Sequence, residues 1–417
     1  MSALNRVSSS MVQHGTKHLD TILASLNRQP FDVMAFGALG NDANDDTAAI
    51  QAAINAAAAA GGGAVFLPAG VYRTTAALTI TASNIVLRGE GMASVLKAAA
   101  TAINIVEIGD GTANPNNTVV ENLRFTATSA MDAGTHAIVL RNGRNLMVSN
   151  VRLDGYGTLY NGIRLLGGEQ QTMYTVQNFM IDGVQNHGIV VDAHAGHPPQ
   201  HLFLSNGTVS GGTDGIVLLS ASEVSVSLVE CLGCTRYGLS TAPASEASVR
   251  SVRLNQCLFN GCAENGVFLA SDGGTVHDVQ ANGCRFASNG QNGISIATDT
   301  TVLSGCLVTD NGQNGVATTN SCRNLVINGS QISANNTSNG AYHGVYLAPG
   351  TQNFVVQGNQ IGIGSHTGVN RQKYGVFVDT TMNSHYLVRN NLAVGNVQGG
   401  VYDGGLTTQK SVGDNIA

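Results

Sequence analysis

The sequence predicts an all-β solenoid, a coil of parallel strands whose short units stack around one continuous core. Three observations predict it. From Asn161 to Gly400 one phrase recurs: a polar residue, then Gly, then Val, Ile or Leu opening an apolar-alternating run. It reads NGIRLL at 161, HGIVVD at 187, DGIVLL at 214, YGLSTA at 237 and NGVFLA at 265. It continues as NGISIA at 292, NGVATT at 314, HGVYLA at 343, YGVFVD at 374 and GGVYDG at 399. Its glycines are 22 to 31 residues apart, the period of stacked β units rather than of helical repeats with alternating faces. Second, 52 of 417 residues are Gly, about twice the usual share near 7%, which fits many tight corners. Third, 43% of residues are apolar but only 11% are charged, a balance that fills a core and excludes disorder. About 10–12 rungs are expected by this count.

Residues 1–29 carry no rung pattern. HLDTILASL spaces Leu19, Ile22, Leu23 and Leu26 helically, so a short helix on an N-terminal arm is expected, ended by Pro30. Residues 30–98 form a compact opening block. FDVMAFGALGN reads as a strand and turn. Asn44, Asp45 and Asp46 are N-cap candidates for a helix over DDTAAIQAAINAAAAA, where alanine favours helix and early acids suit its dipole. Gly61–Gly63 stop it. GAVFLPAGVYRTT forms strands around Pro68-Ala69-Gly70, and SNIVLRGEGMASVLKA begins the rungs. A helix just before a solenoid is expected to cap it, covering strand edges and an apolar cross-section that would otherwise aggregate. Residues 99–405 are the solenoid proper and 406–417 a C-terminal tail.

The opening block also carries a resemblance. FGALGNDANDDTAAIQAAINAAAAAGGGAVFLPAGVYRTT resembles the start of the pectate-lyase-like superfamily of right-handed parallel β-helices, over about 40 residues. The repeat extends the likeness to residue 405. The resemblance implies a right-handed parallel β-helix and a polysaccharide ligand, since that superfamily holds polysaccharide lyases, glycoside hydrolases, alginate epimerases and phage tailspikes. Within it, the arm RVSSSMVQHGTKHLDTIL ahead of this opening resembles bacteriophage tail spike or fibre proteins. That narrower likeness implies a homotrimer, attachment to other tail proteins through residues 1–29, and a virion location.

Composition excludes other classes. A net charge of −6 without a Lys/Arg cluster argues against a nucleic-acid partner. No run of 18 apolar residues predicts a membrane span, and MSALNRVSSSMVQHG lacks the apolar core of a signal peptide. The seven cysteines are odd in number, so free thiols are expected. Cys231 and Cys234 form a CxxC without a second pair at zinc spacing. Cys257, Cys284 and Cys306 follow the repeat and read as small buried fillers. No cofactor is implied, and no Asp-rich loop resembles a calcium site.

Chemistry is expected on the Gly-anchored sheet. Alternation points the residue after Gly inward, and the residues before Gly and two and four after it outward. Before Gly the ladder is mostly Asn, which suits a left-handed turn. His187, Asp214 and Tyr237 depart from it on consecutive rungs, and Glu264 lies beside Asn265. Arg164 and Asp192 lie outward nearby, and Arg236 adjoins Tyr237. This is the densest ionisable group on the expected sheet: Asp214, Glu264, His187 and Tyr237 as acid/base candidates, and Arg164, Asp192, His194 and Arg236 as substrate-binding candidates. Isolated polar residues at exposed turns are also commonly just solvated.

Asp214 and Glu264 are two rungs apart, about 9–10 Å, a spacing that permits inverting hydrolysis and disfavours retention. A lyase would instead use His187 or Tyr237 as base with Arg164 or Arg236 neutralising a uronate. The compact Tyr, Asp, His motif of the alginate epimerases (YG-DPHE) is missing. VVDAHAGHPPQH has Asp192, His194, His197 and His201 at other spacings. This segment reads as a groove-lining loop, an inert surface or a metal site, and Pro198-Pro199 prevents a helix from aligning its ligands. Outward Phe268, Tyr346, Phe377 and Tyr402, with Val190 and Val217 on the same face, suit sugar stacking or a subunit interface. The expected function is therefore a polysaccharide depolymerase, hydrolase or lyase. The alternatives are a non-catalytic glycan-binding tail or adhesion protein and an epimerase-like enzyme.

Overall fold

The computed structural model describes residues 30–417 apart from 170, 320–321, 363–370 and 381–383. The arm 1–29, with its expected helix at 18–26, lies outside the described residues. The chain winds as a parallel β-helix built of a 13-stranded and a 23-stranded sheet. The 13-stranded sheet carries the Gly-anchored strands, one per turn, so about thirteen turns replace the expected 10–12. The difference lies at the start: Leu78–Ile80, Val106–Ile108 and His136–Arg141 belong to this sheet but precede the first Gly phrase.

The larger sheet takes the rest of each turn. Early turns give it one long strand, such as Gln200–Ser210 or Ala221–Leu232. Ser248–Asn255 and Leu258–Asn260 then both pair with Ala221–Leu232, so later turns contribute two short strands around a corner.

The interior follows the predicted alternation. Ile163, Ile189, Ile216, Leu239, Val267 and Ile294 stand in register on successive strands and are fully buried. Each such side chain stabilises the fold by about 1.5–3 kcal/mol relative to exposure. The glycines before them are a steric requirement of the stack. A Cβ on Gly215 would lie 2.5 Å from the Gly238 carbonyl oxygen, and one on Gly238 would lie 2.6 Å from that of Gly266. One glycine thus faces the next, turn after turn, and the repeat records this column.

Asparagine before Gly has a different role from the one expected. Asn161, Asn265, Asn292 and Asn314 are buried, and none is among the residues with positive φ. Asn265, Asn292 and Asn314 form a hydrogen-bonded ladder instead: Asn292 Nδ2 donates to Asn265 Oδ1 at 3.0 Å and Asn314 Nδ2 to Asn292 Oδ1 at 3.0 Å, while Asn161 Nδ2 donates to Thr135 O. The left-handed asparagines sit at another corner, as Asn122, Asn150, Asn178 and Asn206. A second buried ladder joins Asn289, Asn311, Asn335 and Gln372.

The helix spans Thr47–Ala59 and buries Ile50, Ala53, Ile54 and Ala57 against the first turns, as a cap should. Asp46 occupies the N-cap position, but its carboxylate accepts from Leu39 N and Gly40 N. Asp45 instead accepts from Thr47 N. Ahead of it, the expected strand shrinks to Phe31–Asp32 and a 3-10 turn follows at Val33–Phe36. All seven cysteines are free and buried. The Sγ atoms of Cys257, Cys284 and Cys306 each donate to a carbonyl of the preceding turn, at 3.4, 3.3 and 3.4 Å. Among the described residues, no helix is long and apolar enough to cross a membrane.

Candidate functional site

Strands His136–Arg141, Asn161–Leu166, His187–Asp192, Asp214–Leu218 and Tyr237–Thr241 are neighbours in the 13-stranded sheet. Their first residues stand in register. His136 pairs with Asn161, His187 with Asp214, and Asp214 with Tyr237. The sheet therefore brings His187, Asp214 and Tyr237 together at about 4.8 Å per rung.

Asp214 is the centre of this group, and it is enclosed. Its side chain is 0% exposed. Arg236 donates from Nε to Oδ1 at 2.8 Å and from Nη2 to Oδ2 at 2.5 Å. Ser240 Oγ donates to Oδ2 at 2.9 Å, and Tyr237 N donates to Oδ1 at 3.3 Å. A carboxylate holding four donors has little left for a substrate. The expected open Asp214–Glu264 pair is thus corrected: Arg236, from the next turn, folds over Asp214. The arginine stays 42% exposed on its side chain.

His187 sits beside this pair. Its Nδ1 lies 3.9 Å from Asp214 Oδ2, is itself buried, and has no hydrogen-bond partner among the described residues. Burial pushes the imidazole pKa below its ordinary 6.5; Asp214 opposes this and Arg236 adds to it. His187 is therefore neutral near pH 7.

Tyr237 stacks on Phe268 with ring centroids 4.7 Å apart, and the Arg236 guanidinium lies 4.9 Å from its ring centre. The Glu264 carboxylate lies near its phenol. Burial, then the neighbouring Glu264 carboxylate, raise its pKa to about 12. No hydrogen bond joins Glu264 to Asp214 among the described residues; the donors on Asp214 are Arg236, Ser240 and Tyr237 N.

Arg164 reaches across to the next strand, where its Nη2 donates to Asp192 Oδ2 at 3.0 Å with both side chains partly exposed. His194 forms a backbone bridge with His197 in the loop after Asp192, and its ring lies beside Gly111. His201 pairs with Glu223 at 2.5 Å. Among the described residues, no group of three His, Cys, Asp or Glu converges as a metal site. Val190 and Val217 are already buried in the single chain, so they add nothing to an exposed interface.

Sequence reasoning missed His136. It is buried, and its Nε2 lies 3.3 Å from Asn161 Nδ2. Burial, then Arg164 and His187, push its pKa down to about 3. Its turn reads HAIVLR, with Ala137 where the phrase has Gly; matching the apolar alternation alone would have found it.

The arrangement offers a neutral imidazole, two partly exposed guanidinium groups and a protonated phenol along one face. Comparisons with known proteins bear on the scaffold. The family model described as rhamnogalacturonase A/epimerase, pectate lyase-like, matches residues 31–240, and a right-handed β-helix model matches 272–415. Mannuronan C5-epimerase AlgE3 of Azotobacter vinelandii is 59% identical over 69 residues, 15% of this chain. The match spans only 4% of that protein's length. Among solved structures, the A-module of mannuronan C-5 epimerase AlgE4 from the same organism superposes with a TM-score of 0.65 at 20% identity, covering 91% of this chain and 99% of that one. The tailspike protein 3 of bacteriophage CBA120 superposes at 0.56 and 13% identity, covering 94% and 62%. These two likenesses are of fold. With half of its length matched by the first model and the coil observed throughout the described turns, the chain belongs to the rhamnogalacturonase A/epimerase, pectate lyase-like family of right-handed parallel β-helices.

Proposed function

We propose that the chain acts on a uronate-containing polysaccharide by removing the proton at C5, beside the sugar carboxylate, and completes either β-elimination or epimerisation. The observation that carries this is the placement of neutral His187 two turns from the partly exposed Arg236 and protonated Tyr237, with Asp214 on the turn between them. In this reading His187 takes the C5 proton through Nε2, and Asp214 behind Nδ1 stabilises the imidazolium that forms. Negative charge moving onto the uronate carboxylate is held by Arg236, with Arg164 binding the chain alongside. Tyr237 supplies a proton, to the leaving glycosidic oxygen in elimination or back to C5 from the other face in epimerisation. The Arg236 charge beside its ring, 4.9 Å away, steadies the phenolate left behind.

Hydrolysis is disfavoured, because it needs two available carboxyl groups and Asp214 is enclosed by four donors. The matches to mannuronan C5-epimerases support an acidic polymer as the ligand. A tailspike-borne lyase, trimeric and carried on a virion, is one form of this reading, and the fold shared with a tailspike supports it.

The test is incubation of the purified protein with polyuronates and with neutral polysaccharides, following reducing ends, ultraviolet absorbance and the uronate proton magnetic resonance spectrum together. Unsaturated ends or altered uronate stereochemistry, lost in His187→Ala and in Tyr237→Phe, is the expected result. Reducing ends from a neutral polymer, without absorbance and insensitive to His187→Ala, would overturn the proposal.

A further inference from the structure

A second concentration of chemistry lies on the same sheet, toward its C-terminal end. The outward position two residues after Gly is Ala317, Tyr346, Phe377 and Tyr402 on four consecutive strands. From Tyr346 on, the rings form a column, with centroids 6.0 Å apart for Tyr346–Phe377 and 4.5 Å for Phe377–Tyr402. His343 and Tyr374, one position before Gly, join it: the His343 ring stacks on Phe377 at 4.3 Å and lies 5.9 Å from Tyr374. At Tyr346 the column meets Ala317, a residue without a ring.

A cavity of about 540 Å³ opens beside this column, lined by His343, Tyr346, Tyr374 and Phe377 together with Lys373 and Asp379. Its volume and mixture suit a small ligand: aromatic walls with a few convergent polar groups. His343 is only 7% exposed, and its Nδ1 has no hydrogen-bond partner among the described residues. Burial holds this imidazole at a pKa of about 4, so it is neutral and able to exchange hydrogen bonds with hydroxyls near pH 7. Tyr346 Oη donates to Asp379 Oδ2 at 2.6 Å, which fixes both polar groups at the rim.

We propose that this cavity is a second saccharide-binding site, taking one sugar ring of the same polysaccharide that passes His187. The rings supply apolar faces and edges for the pyranose carbons. His343, Asp379 and Lys373 supply hydrogen bonds to its hydroxyls or carboxylate. Six strand steps separate the His187 turn from the His343 turn, about 29 Å along the sheet, a distance that a linear polymer lying along the coil spans and a short oligosaccharide does not. The site serves as an anchor that holds the chain while the residues near His187 act. The inference rests on the reading that this face takes a polysaccharide, but not on the chemistry at His187.

The test is calorimetric titration of the full chain with a long polyuronate and with a long neutral glucan, comparing wild type, Lys373→Ala, Tyr374→Ala and His187→Ala. We expect one polymer to bind, each cavity variant to weaken it about tenfold, and His187→Ala to retain most of the affinity. Circular dichroism melting identifies any variant that has lost its fold, and Lys373→Ala, which removes no ring, keeps the test open if Tyr374→Ala does. Unchanged polymer affinity in folded cavity variants overturns the anchor and leaves the proposed chemistry standing. Binding of neutral glucan alone through the cavity supports the anchor and overturns the uronate reading. A cavity variant that alters sedimentation rather than polymer affinity overturns the anchor in favour of an interface between copies.

Discussion

Asp214 and Arg236, on adjacent turns of the coil, form a two-pronged ion pair in which the acid is wholly buried and the base remains partly solvated. This asymmetry sets the chemistry of the face. The buried partner is held in place, and in the proposed mechanism the exposed partner carries the charge that a uronate would meet.

Removing the base alone should therefore be harmful. Arg236→Met leaves a buried carboxylate without its countercharge. It should cost on the order of 2–3 kcal/mol, less than for a fully buried pair because Arg236 is itself partly in water. The double variant Asp214→Asn with Arg236→Met should recover much of that loss in urea unfolding. If the single and double variants are equally unstable, the pair does not act as a unit.

The pH profile follows from the two shifted groups. A base must be neutral to accept a proton, so kcat/KM should rise with pH through the His187 pKa, and that limb should fall below pH 6.5. An acid must be protonated, and the Tyr237 pKa is raised to about 12, so activity should not decline through pH 10 for want of the phenol. Rates measured from pH 4 to 11 check both limbs. An acidic limb above pH 6.5 would remove His187 from the role of base.

His136 makes a separate prediction about stability. Its folded pKa of about 3 lies below the unfolded value near 6.5, so between these pH values the unfolded chain binds the extra proton. Stability is fully present above about pH 6.5 and falls as pH drops toward 3. His136→Asn should flatten part of this slope. The difference between wild-type and variant melting temperatures, followed from pH 7 to pH 4, measures it free of the carboxylate contribution common to both.

The asparagine ladders should be strongly stabilising. Asn311 accepts from Asn289 N and Nδ2 and donates from its own Nδ2 to Phe286 O and Asn335 Oδ1. Asn311→Ala strands the buried partners on both neighbouring turns and should cost at least about 2 kcal/mol. A loss within 0.5 kcal/mol in urea unfolding would show that the ladder is incidental.

Much of this was legible in the sequence for a physical reason. From Gly162 to Gly375 the glycine column leaves no room for a Cβ, so it marks the register, and with it the stacking of His187, Asp214 and Tyr237 on successive turns. Three features were not legible. Arg236 precedes Tyr237 in a loop, and its fold back over Asp214 depends on side-chain reach rather than period. His136 escaped because Ala137 stands in for Gly. Asparagine before Gly suits either a left-handed turn or a buried amide ladder, and only backbone angles and burial separate the two.

The central claim is that the C5–H bond of a uronate breaks. The most direct measurement is to incubate the protein with a polyuronate in deuterium oxide and follow the C5 proton by nuclear magnetic resonance. The account predicts loss of that signal, through exchange at C5 or conversion to an unsaturated end, and its retention with His187→Ala. Cleavage of the polymer with the C5 proton intact would contradict it.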